Sequence, residues 1–490
     1  MSSIHQPDPS LPIIDNNGLD TPAWLQSAVI AEVNLMHATP EGTIDAAIGT
    51  LDYFADLGVN CLWIDPVNEM GHSFTYPNGY TNIGLDTIDP ALTGTSDYNA
   101  GWQKLAKFVD AAHKKGLRVL LDVVTWGVSA DVDITREITA DGKCFPIGRI
   151  LQDPNNKEAW SNWGGPKYLY DEPLFFQWYK ETMLSIVKTC RLDGIRVDLE
   201  PCVTGYELFA EIRREALKDG YRLAIISEHA NDRHSAFDIE QMGVVNNWEH
   251  DLTKTHANAA YFTRGGYNIV DCIRSGRLSN DAEHTGGKKL YTYCYSTHDN
   301  IYCHNGSMLD LIYNALFSPY IPIVYMGEAT GDFTDDSDLS NSDINLYYYG
   351  RLKTKALERP ECRKRYEKVK QLLALRRSLP EIYSDFPDDH RQSRIEKVET
   401  EGLSSYQPYV CYGKSAAIIV VPNGTDSAAD VTITVPELPG ISSSASITDA
   451  LSNAVIQTTT ESDMKQHFTV SVKPGEVGLF LLRSEKVQER

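Results

Sequence analysis

Between about residues 28 and 380 the chain alternates short apolar runs with longer amphipathic stretches, and that rhythm leaves few folds open. Eight runs read as strands: Val29–Asn34, Val59–Ile64, Arg118–Val124, Gly194–Val197, Leu223–Ser227, Val244–Trp248, Leu290–Ser296 and Ile321–Met326. They are too short for buried helices and are rich in β-branched residues. Between most of them lie patterns of helical period: Ile44–Leu57, Trp102–Lys115, Phe175–Thr189, Tyr206–Leu217, Met308–Leu316 and Arg363–Leu379. Trp102–Lys115 closes on two lysines before Gly116, as a helix C-terminus should. Eight βα units in series predict an α/β fold, a (β/α)8 TIM barrel. A doubly wound open sheet is the alternative.

Three connections are too long for plain loops. Asp65–Asp97 follows the second strand, Gly127–Pro173 the third and Gly327–Pro360 the eighth. All leave C-terminal strand ends, the face on which barrels build their sites. The second is rich in Trp, Gly, Asn and Pro, which predicts a small inserted subdomain over about 127–173. After about residue 400 the texture changes to short β-rich runs between turn signals such as Pro422-Asn423-Gly424 and Pro474-Gly475. The expected organisation is an N-terminal segment 1–27, a catalytic barrel 28–400 and a C-terminal antiparallel β-sandwich domain 401–490.

The 490 residues carry a net charge of −22. That excess repels nucleic-acid backbones and anionic membranes, so neither is expected as a partner. A neutral substrate such as a sugar meets no such objection. No apolar run reaches membrane-spanning length. Met1–Asp20 is polar, with no basic flank and no apolar core, unlike a secretory signal. The nine cysteines are scattered and lack CxxC spacing. Free thiols and a cytoplasmic location are the expectation.

The chemistry sits at the strand ends. In Gly194-Ile195-Arg196-Val197-Asp198, strand alternation points Arg196 and Asp198 to the same side. A guanidinium beside a carboxylate keeps it ionised, so Asp198 is a candidate nucleophile; a structural ion pair is the alternative. The fifth strand ends in Glu228, and the seventh leads into His298-Asp299. Three carboxylates at one barrel mouth need a shared job or a shared metal. Cleavage of a glycosidic bond asks for one ionised carboxylate and one that holds a proton. Asp198 beside Arg196 suits the first role. Glu228, after an apolar strand, suits the second.

With these motifs in place, the sequence resembles the α-amylase family of glycoside hydrolases. The matching segments are Gly194–Asp198, Ile226-Ser227-Glu228 and Ser296-Thr297-His298-Asp299-Asn300, supported by Asn78-Gly79-Tyr80, Ile88-Asp89-Pro90 and Ile321–Glu328. The resemblance covers roughly residues 28–380, and the β domain corresponds to the family's usual C-terminal module. It implies Asp198 as nucleophile, Glu228 as general acid and base, and Asp299 as a binder of the distorted sugar. It further implies that Arg196 positions Asp198, that His298 hydrogen-bonds the sugar and that Tyr80 stacks on it. The implied activity is that of a retaining α-glycosidase or α-glucanotransferase on oligo- or polysaccharides, working by double displacement.

Strand three departs from the family pattern of Asp-x-Val-x-Asn-His. Here it reads Asp122-Val123-Val124-Thr125-Trp126-Gly127. Trp126 stands where an asparagine commonly helps hold a structural calcium, and Gly127 where a histidine contacts the sugar. An indole offers no oxygen ligand, so the family's calcium site is expected to be absent, and no other cofactor or metal is expected. Trp126 is either a further substrate contact or a filler. Near Tyr80, Gly84 replaces an aspartate often found there, with Asp86 close by. These departures motivate the alternative function, a weakly active or non-catalytic carbohydrate-binding protein on the same barrel. Oligomeric state has no signature in the sequence.

Overall fold

In the computed structural model eight parallel strands close into a barrel, and their inward and outward faces are sorted by the alternation seen in the sequence. The structure describes residues 22–72, 79–153, 156, 165–198, 203–227, 244–246, 270, 290–294, 298, 308–332, 352, 354–384, 394–401, 406–441, 445–458 and 466–484. The first barrel strands are β1 (Ile30–Val33), β2 (Cys61–Ile64) and β3 (Arg118–Val124). A hairpin of β4 (Glu137–Ala140) and β5 (Lys143–Pro146) follows. The barrel resumes with β6 (Gly194–Asp198), β7 (Ala224–Ser227), β8 (Val244–Asn246), β9 (Leu290–Cys294) and β10 (Ile321–Tyr325). Round the barrel the order is β1, β2, β3, β6, β7, β8, β9, β10 and back to β1. This is the fold class that the eight apolar runs predict.

Alternation along each strand makes two cores. Ile30, Cys61, Trp63, Leu120, Ala224, Ile226, Ile321 and Ile323 form one cluster, to which Leu25 and Ala28 ahead of β1 belong. The residues that alternate with them, among them Ala31, Leu62, Leu121, Ile195, Ile225 and Val324, belong to the larger layer under the helices. Period-2 packing therefore fixes which polar strand residues face inward: Glu32 shares the parity of Ile30, Asp122 that of Leu120, and Arg196 follows two residues after Gly194.

The helices begin where side chains can cap them. Asp97 accepts from the backbone N–H groups of Asn99 and Ala100 at the start of helix Tyr98–Lys114, and Glu172 accepts from Leu174 at the start of Pro173–Cys190. The expected helix Ile44–Leu57 is broken into Ile44–Ala47, a 3-10 turn Ile48–Thr50 and Leu51–Leu57. The Thr50 hydroxyl donates to the Ala47 carbonyl at 2.8 Å, a back-bond that tightens the turn. Met308–Leu316 also departs from a plain helix, widening after Asp310 into a π-helix over Leu311–Leu316.

Beyond the barrel, two antiparallel sheets pack face to face. One runs in the order β11 (Ile395–Lys397), β13 (Tyr409–Tyr412), β14 (Ala416–Pro422), β19 (Val477–Ser484), β16 (Ala445–Asp449), β17 (Val455–Thr458). The other is β12 (Glu399–Glu401), β15 (Ala429–Val435), β18 (Gln466–Val472). Val410, Ile419 and Phe480 of the first meet Val431, Ile433 and Phe468 of the second in a separate core. The opposite face of the larger sheet joins the barrel's core through Tyr409, Ile418 and Leu481. Tyr409 donates its hydroxyl to the Tyr313 carbonyl at 2.6 Å, and Tyr313 donates to that of Gln407 at 2.7 Å.

Candidate active site

Parallel register places Asp122 of β3 directly beside Arg196 of β6, and Val124 beside Asp198. The Arg196 guanidinium, fully buried, donates from Nη1 to Asp122 at 3.2 and 3.0 Å and to Asp198 Oδ1 at 3.0 Å. It lies over the Trp63 ring, 4.8 Å from the centroid. One cation is thus shared by two carboxylates, and Arg196 holds Asp198 as its place in the sequence implies. The Thr125 hydroxyl donates to the Asp198 carbonyl and ties the ends of β3 and β6 together.

Asp122 is the hub of the site. Besides the guanidinium it accepts from Trp63 Nε1 at 2.8 Å and from the Tyr80 hydroxyl at 2.7 Å. Burial pushes its carboxyl up to about 6, against the pull of Arg196. Tyr80 stacks on His298, with centroids 4.6 Å apart and planes at 18°. His298 in turn meets Glu32: Nδ1 lies 2.5 Å from Glu32 Oε1, which also accepts from the His298 backbone N–H at 3.1 Å. Asp65, the residue after β2, is 1% exposed. Burial and the charge of Glu32 push its carboxyl well above the usual range.

The structure therefore brings Arg196, Asp198, Tyr80 and His298 together. Glu228 and Asp299 lie outside the described residues. Each is the next residue along the chain after one that is described, Ser227 and His298. Of the two places open to Trp126, the structure gives the packed one. The side chain is 5% exposed, and its Nε1 donates to the Tyr80 carbonyl at 3.2 Å, so it backs the tyrosine from behind.

Both departures from the family pattern have local causes. Gly127 is crossed by the returning end of the insertion, with an antiparallel bridge to Lys167. A Cβ on Gly127 would stand 2.2 Å from the Pro166 carbonyl oxygen and 2.8 Å from the Lys167 Cα, so no histidine fits there. A Cβ on Gly84 would stand 2.4 Å from Arg136 Nη2. That guanidinium pairs instead with Asp86, at 2.5 and 3.0 Å, and ties the loop after β2 to the residue just ahead of β4. At the position of the family's calcium-holding asparagine stands an indole, which offers no oxygen ligand and whose N–H is committed to a backbone carbonyl.

Sequence reasoning passed over Trp63, Glu32 and Asp65 as site residues, and used Asp122 only as a motif match. Glu32 carried a signal, a lone charge inside an apolar strand at an inward parity. Asp65 follows its strand as Glu228 follows β7. Trp63 is an apolar residue among apolar neighbours, and nothing local marks it.

Comparison with known proteins agrees with this architecture. The sequence model of the α-amylase catalytic domain matches residues 15–242. A malto-oligosyltrehalose trehalohydrolase of Rhizobium sp. is 25% identical over 356 residues, 63% of this chain and 56% of that protein. The chain thus matches little more than half the length of that curated relative. Among solved structures, a maltogenic α-amylase of Thermotoga neapolitana superposes with a TM-score of 0.66 at 14% identity, covering 94% of this chain and all of its own. An α-amylase of Geobacillus thermoleovorans complexed with acarbose gives 0.64 at 15%, covering 94% of this chain and 99% of its own. At such identities the superpositions speak for the fold alone. The sequence match spans β1 to β7 and so includes the Asp122, Arg196 and Asp198 strands. Over residues 15–242, a little under half of the chain, the sequence is similar to the α-amylase catalytic domain.

Proposed function

We propose that the protein is a glycoside hydrolase of the α-amylase family that acts on α-glucosidic bonds of oligo- or polysaccharides with retention of configuration, by hydrolysis or glucosyl transfer. The observation that carries the reading is the Asp198 carboxylate at the C-terminal end of β6, held by a buried guanidinium at 3.0 Å. A carboxylate so held stays ionised and fixed in place, as attack at an anomeric carbon requires. The substrate class is supported by the trehalohydrolase relative and by the acarbose-bound neighbour.

In the first step the Asp198 carboxylate bonds to the anomeric carbon while Glu228 protonates the departing glycosidic oxygen. In the second, Glu228 takes a proton from water or an acceptor hydroxyl, whose oxygen displaces Asp198 from the opposite face. Two inversions give net retention. Asp299 and His298 hold sugar hydroxyls, His298 through the nitrogen opposite its Glu32 contact. Asp122 acts through Arg196 and Tyr80 as a positioning residue. Without a histidine at 127, stabilisation of the transition state falls more heavily on His298 and Asp299.

The test is a panel of α-glucosides and α-glucans with wild type, Asp198→Asn and Glu228→Gln, following product anomers by NMR. Expected are α-configured first products and a loss of about 10⁴-fold or more in both variants. Activity in Asp198→Asn equal to wild type, or β-configured first products, would overturn the reading.

A further inference from the structure

We propose that Glu32, Asp65 and His298 hold one divalent first-row transition ion, of the zinc or manganese kind, in the barrel behind the sugar-binding face. Each offers one ligand atom, and the three atoms lie within 4.8 Å of one another. They come from neighbouring parts of the barrel wall: Glu32 from β1, Asp65 from the end of β2, and His298 from the chain beyond β9, which pairs with β10 and so reaches β1. All three are buried, at 0%, 1% and 3% exposure.

Hydrogen bonding is the first reason. Among the described residues, Glu32 Oε2 and both carboxylate oxygens of Asp65 are buried with no partner at hydrogen-bond distance, the Asn34 amide being the neighbouring donor to Asp65. Carboxylates left so in a low-dielectric interior are costly. A proton on Asp65 shared with Glu32 would engage two of these three oxygens, one as donor and one as acceptor, and leave the third. A cation draws on both carboxylates at once.

Charge balance is the second. The buried carboxylates Glu32, Asp65, Asp122 and Asp198 share one end of the barrel. Among the described residues the cations facing them are Arg196, committed to Asp122 and Asp198, and His298 if protonated. A divalent ion bound through neutral His298 cancels the charges of Glu32 and Asp65 together.

The donor set selects the ion. Two carboxylates and one imidazole suit zinc or manganese, whereas calcium asks for six or more oxygens. Bonds of about 2.0–2.2 Å put three ligand atoms about 3.3–3.8 Å apart, so a pair at the 4.8 Å limit closes by about an ångström on loading. The ion takes no part in bond cleavage. It fixes the His298 ring, whose other nitrogen faces the sugar in the proposed reaction.

The experiment uses the full chain, stripped with a chelator and desalted. Zinc, manganese and cobalt chlorides are titrated in, with metal content read by mass spectrometry and cobalt by its visible absorption. Expected are one equivalent per chain, a rise in melting temperature on loading, and affinity weakened more than about tenfold in Asp65→Asn and Glu32→Gln. No uptake by wild type, with stability following pH alone, would mean that a shared proton holds the cluster and would overturn the site. Equal affinity in wild type and both variants would also overturn it, by placing the ion elsewhere. Should a variant fail to fold, the wild-type stoichiometry and melting shift still decide. None of these readouts depends on α-glucosidic activity, so failure of the proposed function and failure of the metal site are separable.

Discussion

Replacing Gly127 by alanine should destabilise the insertion after β3 by about 3 kcal/mol, although the change adds a single methyl group. The new Cβ would stand 2.2 Å from the Pro166 carbonyl oxygen, a backbone atom. Ordinary carbon–oxygen contact is more than an ångström longer, so residues 165–168 must move by about 1 Å. Three backbone hydrogen bonds are exposed to that shift: Val128 N to Pro166 O at 3.1 Å, Tyr168 N to Trp126 O at 3.3 Å and Gln152 N to Lys167 O at 2.8 Å. At about 1 kcal/mol each, partial loss gives 1–2 kcal/mol, and overpacking adds about as much again. Urea unfolding of wild type and Gly127→Ala measures the difference, with limited proteolysis within 127–173 reporting where it falls. A difference below about 0.5 kcal/mol would refute the close-approach argument. Gly127→His, which restores the family residue, should open the insertion further and lower activity rather than raise it.

Four further outcomes follow from the same geometry. Arg196→Met leaves Asp122 and Asp198 without their shared cation and should cost about 3–5 kcal/mol in a urea melt; a loss under 1 kcal/mol would show that the guanidinium is dispensable. Asp122 has a folded pKa above its unfolded value, so the folded chain binds the extra proton between 3.8 and about 6. Its contribution is full below that window and is lost as pH rises through it, by up to about 1.4 kcal/mol per unit; the stability difference between wild type and Asp122→Asn should slope over pH 4–6 and flatten above, and a flat difference throughout counts against it. Arg376 is buried and donates to the carbonyls of Leu316, Ser318 and Tyr320 at 2.6, 3.1 and 2.6 Å, so Arg376→Met should lower stability by about 2–4 kcal/mol, with an unchanged melting temperature as the contrary result. Calcium added to metal-stripped protein should leave the melting temperature within about a degree, since no asparagine stands at position 126; a rise of several degrees would locate a calcium site that Trp126 does not exclude.

The barrel was legible because its signals are local. Runs such as Arg118–Val124 and Gly194–Val197 return as strands within a residue of their expected ends, and turn chemistry marked the β-rich region beyond. Helix ends were less sharp. The back-bonding of Thr50 and the widening at Leu311–Leu316 depend on contacts that a periodicity count does not contain. Trp126 shows the limit from another side: an aromatic residue at a strand end suits a sugar platform and a packed support equally well until its neighbours are known.

What the sequence determined by itself is the period and the strand-end chemistry. Alternation of apolar residues decides which side chains of a strand face inward, so Arg196 and Asp198 share a face whatever else surrounds them. What only the tertiary structure decided is which inward residues meet. Glu32 reaches His298 across 266 positions, and Asp122 gathers Trp63, Tyr80 and Arg196 from three separate segments. Closing the barrel sets those encounters through register, which depends on all eight strands at once and is written in none of them singly.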